Sequence, residues 1–418
     1  MARGPDEDVY RSVTAARLLV LTPFPPRLDA THGGSRAIAE LVERVARRRP
    51  VAVLSIRSAG DPPVDPRLVR TCELVREVPR PEQGAGLRGR RADLRVAAGL
   101  LGGTPMWVSR WRVPAFTAAL REIGRDWSPA IVQAEYHLMA QYLDAAGPGP
   151  KKILRQLEPG AASAGDRAAR RQGAARVLGV LDHQAWRRYE RRAMTSADIV
   201  VALTERDRSA LAPLAGTTRI VCIPLGVALP EQAADGVGAE PPSLLFVGNY
   251  VHPPNADAAE RLVREIFPLV LERVPAARLS IVGPNPPSTL GQHPRVEITG
   301  EVPDVRPYLD RASVVVAPLR LGGGMRVKVA EALAAGKAVV ATALAAEGLG
   351  ARDGDQLLLA DDSQAIADAA VGLLLDPDRR AALASRARAW AKEHLAWDAP
   401  AAAFEQLYDS LLAPAHDG

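Results

Sequence analysis

Apolar residues in this chain gather in short unbroken runs, each bounded by glycine, proline or polar turns. In the first half these runs are Leu18 to Leu21, Val51 to Ile56, Ile131 to Ala134, Ile153 to Leu154, Ile199 to Leu203 and Ile220 to Ile223. They do not alternate apolar with polar, which predicts strands covered on both faces of a parallel sheet. Between the first two lies a helical spacing, Ala37-Ile38-Leu41-Val42-Val45, entered through Gly33 and Gly34. Strand, helix and strand within about 40 residues make a βαβ unit. A long Arg-rich helical stretch around Gln184 to Met194 follows later.

From Ala228 to Pro242 the composition turns to Pro, Gly, Ala and acids (ALPEQAADGVGAEPP), which reads as a linker. The alternation then restarts. Leu244 to Val247 is a strand, Ala256 to Val274 a helix, and Leu279 to Val282, Val296 to Thr299, Ser313 to Ala317 and Ala338 to Val340 are strands. Val327 to Ala335 is a helix between the last two. The pattern predicts two doubly wound α/β domains, residues 17–227 and 243–395, joined by the linker 228–242 and preceded by a loose polar tail, 1–16.

Composition narrows the class. Of the 418 residues, 47% are hydrophobic and 24% charged, which excludes wholesale disorder. Ala, Arg, Gly and Pro are abundant, so arginine counts alone carry little functional weight. A formal charge of +5 is too mild for a dedicated nucleic-acid binder. Cys72 and Cys222 have no metal-ligand spacing around them, which excludes a disulfide scaffold and fits a reducing compartment. No run reaches the roughly 18 apolar residues that cross a bilayer, and the mixed-charge start does not read as a signal peptide. The expectation is a cytoplasmic protein, free to lie at the inner face of the cell membrane.

The densest chemical signal is LRLGGGMRVKVAEALAAGKAVVAT, residues 319–342. A buried strand runs out through Pro318 into Gly322-Gly323-Gly324, and a helix starts at once. Glycines let backbone approach a ligand closely, and a helix N-terminus offers unpaired N–H groups and a positive dipole end. Such a place holds a phosphate or diphosphate. Arg326 and Lys328 in the first turn oppose the dipole unless an anion binds there. Val327, Ala330 and Ala334 are expected to face the sheet, with Lys328 and Glu331 on the opposite face. A carboxylate at Glu331 is placed to take the hydroxyls of a ribose. Neither a Walker loop nor Gly-x-Gly-x-x-Gly matches this motif.

Residues 244–350 resemble the C-terminal domain of the family 4 retaining glycosyltransferases, which have the GT-B fold. The matching pieces, in order, are LLFVGNYVHPPNADAA, LSIVGPNPP, VEITGEVPDVRPYLDRASVVVAPLRLGGGMRVKVAEALAAGKAVVAT and AAEGL. They are most similar to the subgroup with a Gly-Gly-Gly loop followed by Arg and Lys. The first half resembles the family through Gly33-Gly34, WRRYERRAMTSADIVVALTERD and CIPLGV, and the end, 396–418, through helices that cross back to the first domain.

The resemblance implies two Rossmann-like domains facing across a cleft, a nucleotide-sugar donor in the second domain and an acceptor against the first. Gly322, Gly323 and Gly324 and the helix start would hold the diphosphate, Glu331 the ribose, and Gly283, Gly300 and Val302 the nucleobase, with Gly248 also on the donor side. Gly33 and Gly34 would approach the phosphate or acceptor, with Glu135 nearby. A family histidine near the reacting sugar maps to His137, after the strand at Ile131; the alternative place, after the strand at Ile153, holds Leu157-Glu158.

Two positions depart from the family. Counting back eight from Glu331, where many members have a first glutamate, gives Gly323. Gly248 is followed by Asn249, where members often place the diphosphate cations. Arg326 or Lys328 would then replace them, and Lys328 is favoured because it shares a face with Glu331.

Other features read as follows. Asp353-Gly354-Asp355 and Asp376-Pro377-Asp378 imitate an Asp-x-Asp metal site but read as loop and helix-start acids, so no metal is expected. Two basic windows, 87–113 with Trp107 and Trp111, and 167–192, form either solvated helix faces or a surface for anionic lipid heads. The expected function is a metal-independent, retaining transfer of a hexose-type sugar from a nucleotide-sugar, used as co-substrate with no further cofactor. The acceptor is a glycan, a lipid-linked or a small-molecule compound. The alternatives are a non-catalytic GT-B subunit and a nucleotide-sugar epimerase.

Overall fold

The computed structural model describes residues 16–30, 33–81, 96, 98–100, 102–157, 160–161, 164–165, 173–235, 237–238, 240–322 and 325–413. The expected tail, apart from its last residue, lies outside them. The chain divides into two compact units. One holds the chain up to Ala202, Arg208–Ile223 and the stretch from Ala401 on; the other holds Leu203–Asp207 and Pro224–Pro400.

The first unit is built on a seven-stranded sheet: β1 (Leu18–Thr22), β2 (Val51–Arg57), β3 (Leu74–Pro79), β4 (Ile131–Glu135), β5 (Lys151–Arg155), β6 (Ile199–Ala202) and β7 (Arg219–Cys222). All pairings are parallel, in the order β3-β2-β1-β4-β5-β6-β7. β1 and β4 are buried along their whole length because helices such as α1 (Gly33–Val45) and α2 (Gly173–Thr195) cover the faces. On α1 the buried Ile38, Leu41, Val42 and Val45 follow the helical spacing of the sequence. β3 is absent from the apolar pattern because it is an edge strand. Its half-exposed Arg76 and Glu77 pair with Glu122 at 2.8 Å and Arg57 at 3.0 Å, the usual charged dressing of an edge.

The second unit carries β8 (Ser243–Val247), β9 (Arg278–Val282), β10 (Val296–Gly300), β11 (Val314–Ala317), β12 (Ala338–Ala341) and β13 (Leu358–Leu359). Their order is β10-β9-β8-β11-β12-β13, again parallel. The helix expected from Ala256 starts at Pro253 and passes through a π turn, Leu262–Ile266, before Phe267–Arg273. Pro268 has no N–H to give its helix, and the wider turn absorbs that loss. α3 (Val327–Ala335) joins β11 to β12.

The segment 228–242, expected as a linker, is packed along the second unit instead. Its carbonyls accept hydrogen bonds from Arg388 (Pro230, 2.7 Å), Arg306 (Gln232, 2.9 Å; Ala233, 2.8 Å), Arg380 (Val237, 2.8 Å) and Lys337 (Asp235). Ala234 is buried. Pro, Gly and Ala suit backbone lying close to a surface as well as they suit a free connector, so composition alone misleads here.

The last helix, α4 (Asp398–Leu412), returns to the first unit. Arg49 pairs with Glu405 and, at 2.9 Å, with Asp409, while its guanidinium lies 4.9 Å from the Tyr408 ring centre.

Lys337, fully buried behind α3, has its pKa pushed down to about 8 by burial. The folded chain releases this proton near pH 8, whereas the unfolded chain keeps it until about 10.5. Between those values the unfolded state binds more protons, so stability rises with pH; the penalty is full below pH 8. Lys337→Met removes the charge and also the bond to Asp235. The expected signature is a difference in unfolding free energy, mutant minus wild type, that falls by up to about 3 kcal/mol from pH 8 to 10.5. Denaturant titrations across that range check it, and a flat difference would overturn it.

Candidate functional site

In each sheet the chain order reverses at one place, between β1 and β4 and between β8 and β11. At such a switch point the loops leaving two neighbouring strands run in opposite directions and open a crevice at their C-terminal ends.

In the second unit, the ends of β8, β9 and β10 meet through glycines. The Gly248 amide donates to the Val282 carbonyl at 3.0 Å, and the Gly283 amide to the Gly300 carbonyl at 3.0 Å. Gly283 has φ of 133°, and a Cβ there would lie 1.9 Å from the Gly248 carbonyl oxygen. Only glycine permits that approach. Gly300, at φ of 70°, has open space where its Cβ would be, and Val302 is half-buried just beyond. Behind this rim the buried Tyr250 hydroxyl lies 3.2 Å from the Val282 carbonyl, with its pKa raised by burial.

Across the switch point runs the loop from β11 to α3. Gly322 has φ of 94°; a Cβ there would lie 2.9 Å from Cγ of Pro254 and 3.0 Å from Nη2 of Arg326. The loops after β8 and β11 therefore touch. Two arginines brace them: Arg261 donates to the Pro318 carbonyl at 3.1 Å, and Arg320 pairs with Asp257 at 2.9 Å and Glu265 at 3.4 Å. Arg326 occupies the N-cap of α3, which no side chain caps, and its guanidinium reaches the Leu321 carbonyl at 3.4 Å. Gly323 and Gly324 lie outside the described residues. Lys328 and Glu331 do share an outer face, joined at 2.7 Å, and Lys328 is half-exposed. On the inner side the expected Val327 is only half-buried, and Val329 is buried with Ala330 and Ala334. The short helix is enclosed on more sides than one stripe would give.

In the first unit, Gly33 and Gly34 open α1, and a Cβ at Gly33 would meet open space. The loop after β1 folds back on this start, with the Ser35 hydroxyl donating to the Pro25 carbonyl at 2.8 Å. Tyr136, past β4, has φ of 67°, a strained value for a non-glycine residue, and its ring packs edge-on against Phe24 at 5.4 Å. His137 is fully buried, with its ring 4.8 Å from Trp186 and 5.5 Å from Trp107. The Tyr189 hydroxyl donates to the His137 carbonyl at 2.7 Å. His137 thus sits at the switch point of its sheet, but sealed in an aromatic box.

Glu135, expected on the acceptor side, is fully buried and faces Arg155 at 3.3 Å, itself fully buried. Gln133 donates to Glu135 at 2.6 Å and accepts from Tyr408 at 2.7 Å, and the Arg155 guanidinium lies 5.1 Å from the Phe404 ring centre. The carboxylate anchors α4 and does not face solvent. Sequence reading missed this because the partners stand far away in the chain.

Among the described residues no three His, Cys, Asp or Glu side chains converge as metal ligands. The acids of the Asp-x-Asp look-alikes have structural duties. Asp353 accepts from the Leu359 amide at 2.8 Å, Asp355 pairs with Arg352 at 2.7 Å, and Asp376 caps its helix through the Arg379 amide at 2.9 Å.

Residues 241–376 match the family model for glycosyl transferases group 1, which places a domain of that kind in the second unit. No curated protein matches the chain. Solved structures resemble it nearly end to end. Sucrose-phosphate synthase of Thermosynechococcus elongatus shares 18% identity, with 94% of this chain and 99% of that one covered and a TM-score of 0.68. WaaG, a glycosyltransferase involved in lipopolysaccharide biosynthesis, shares 16% over 95% and 100%, at 0.63. HepE of Anabaena, solved with UDP and glucose, shares 13% over 94% and 100%, at 0.62. At such identities the likeness establishes the fold, GT-B, with two parallel-sheet Rossmann-like domains.

Removing the buried carboxylate should separate anchoring from binding. Glu135→Gln leaves Arg155 buried without a counter-charge and is expected to cost about 3 kcal/mol of stability. Affinity for a nucleoside diphosphate should stay unchanged. Chemical denaturation and calorimetric titration read the two quantities; an unchanged stability would mean that the carboxylate is not the anchor.

Proposed function

We propose that the protein transfers a sugar from a nucleotide-sugar, bound at the β8–β11 switch point, to an acceptor. Anomeric configuration is retained and no metal takes part. The observation that carries this reading is the glycine-lined junction at Gly248, Gly283 and Gly322, where backbone is bare of side chains beside an uncapped helix start. A diphosphate needs close backbone approach and cations; the glycines allow the approach, and the start of α3 carries Arg326 and Lys328. The group 1 domain match over the same strands supports it, as do the UDP-bound relatives in fold. Retention rests on the resemblance of residues 244–350 to the retaining family. Incubation with common nucleotide-sugars should release nucleoside diphosphate slowly without acceptor. Tight binding without release would favour a non-catalytic subunit, and donor consumed without diphosphate release an epimerase.

In this reading Glu331 takes the ribose and Lys328 the diphosphate, so their ion pair must loosen when the donor arrives. The helix dipole supplies only about half a positive charge against the two of a diphosphate. Lys328→Ala is expected to weaken binding of the donor's nucleoside diphosphate by on the order of 2 kcal/mol and of the nucleoside far less. Equal losses for the two ligands would place Lys328 away from the phosphates.

The acceptor side of the proposal extends to the membrane. Val177, Leu178, Val180 and Leu181 are exposed in the first turns of α2, and Arg187, Arg188, Arg191 and Arg192 are exposed further along. Apolar side chains followed by cations on one helix suit an anionic lipid surface. No helix of the described residues is long and apolar enough to cross a membrane. Vesicles rich in anionic lipid should retain the protein at low salt and release it at high salt, and Leu181→Asp should abolish retention. Equal binding to neutral vesicles, or self-association through this face without lipid binding, would remove the membrane from the proposal.

A further inference from the structure

The first unit holds a cavity of about 580 Å³ lined by Ser58, Ala59, Arg80, Pro81, Trp107, Arg110 and Trp111. Ser58 and Ala59 follow β2, and Arg80 and Pro81 follow β3, so it opens at the C-terminal ends of these strands. That is the edge at which parallel sheets take ligands, and the volume fits one or two sugar rings.

Its chemistry is specific. The Arg80 guanidinium lies 4.1 Å from the Trp111 ring centre and donates to the Arg110 carbonyl at 3.1 Å. Burial lowers its pKa more than the charge of Asp61 raises it. Asp61 itself is held in its turn by the Ser58 amide at 2.9 Å. Among the described residues no carboxylate forms an ion pair with Arg80 or Arg110, whereas Arg320 at the other site pairs with Asp257 and Glu265. Trp107 is 42% exposed, yet its ring is fixed edge-on against His137 and Trp186. A rigid aromatic surface, two arginines without counter-charge and a polar hydroxyl surround one space. Aromatic faces suit the C–H face of a sugar ring, and paired guanidinium groups suit a carboxylate or phosphate.

We propose that this cavity receives the acceptor, and that the acceptor is an acidic sugar, its ring against Trp107 and its carboxylate or phosphate between Arg80 and Arg110. The acceptor role rests on the glycosyl-transfer reading; the preference for an acidic sugar does not.

Binding is measured by tryptophan fluorescence and calorimetry on the full chain, without donor, using methyl glucuronide, glucose 6-phosphate and methyl glucoside. At least one of the two acids is expected to bind tenfold or more tightly than the neutral glucoside, and the tighter of the two identifies the anion. Arg110→Gln, at an exposed position that leaves the core intact, and the Arg80→Gln, Arg110→Gln double variant should bring the acids down to the glucoside. Trp107→Phe should weaken all three ligands, and UDP affinity should hold throughout. Equal affinity for acids and glucoside, or an acid preference that survives the double variant, would overturn the proposal. Wild-type protein that prefers the acid yet binds none of UDP, GDP, ADP and dTDP would sink the glycosyl-transfer reading and leave the cavity assignment standing.

Discussion

A parallel sheet wrapped on both faces leaves little of itself available to a ligand. Each crossover must lay a helix or loop over a face, so the strand ends remain open, most widely where two loops diverge. In this chain the loops diverge at two places, beside β1 and β4 and beside β8 and β11. The second is the more exacting. At Gly283 the backbone of one strand end comes so near that of another that no side chain fits, and at Gly322 the next loop closes against Pro254. Side chains are excluded from this junction by geometry, and what remains is amide backbone and the start of α3.

Holding loops in that form requires their carbonyls to be satisfied. Arginine performs this task repeatedly. Arg261 serves Pro318, Arg306 serves Gln232 and Ala233, and Arg388 serves Pro230 and Ala334. The segment 228–242 is thereby made part of the second unit, and α4 is fixed to the first by Arg49 and by the Glu135–Arg155 pair. Buried pairs of this kind add little net stability, because desolvation offsets their attraction, but breaking one is costly. They determine where an element sits more than how firmly the whole is folded.

The sequence revealed the sheets because their inner strands are fully apolar: Leu18 to Leu21 and Val314 to Ala317 have no other good use. β3 escaped notice because an edge strand carries charge on purpose. The glycines at 248, 283 and 300 were legible through the family motif, and their meeting follows from strand order, which local pattern does not encode. Glu135 and His137 were placed at the ligand side because they stand at a strand end. Both are buried in surroundings that distant parts of the chain complete: Glu135 beside Arg155 and Gln133, which Phe404 and Tyr408 meet, and His137 beside Trp107 and Trp186. Short-range spacing carries no record of such contacts.

The arginines show the same limit in a more useful form. Their abundance makes any single one uninformative in the sequence, and Arg80 has no motif around it. Structure divides them by what they face. Those with carbonyls or carboxylates at hand are spent on holding backbone or on surface pairs. A guanidinium stacked on Trp111 in a cavity, with no carboxylate paired to it, keeps its charge for something else. Desolvating a cation without compensation is unfavourable, and a bound anion would remove that cost. In the first unit, positive charge that no carboxylate pairs among the described residues marks the place where a ligand would neutralise it.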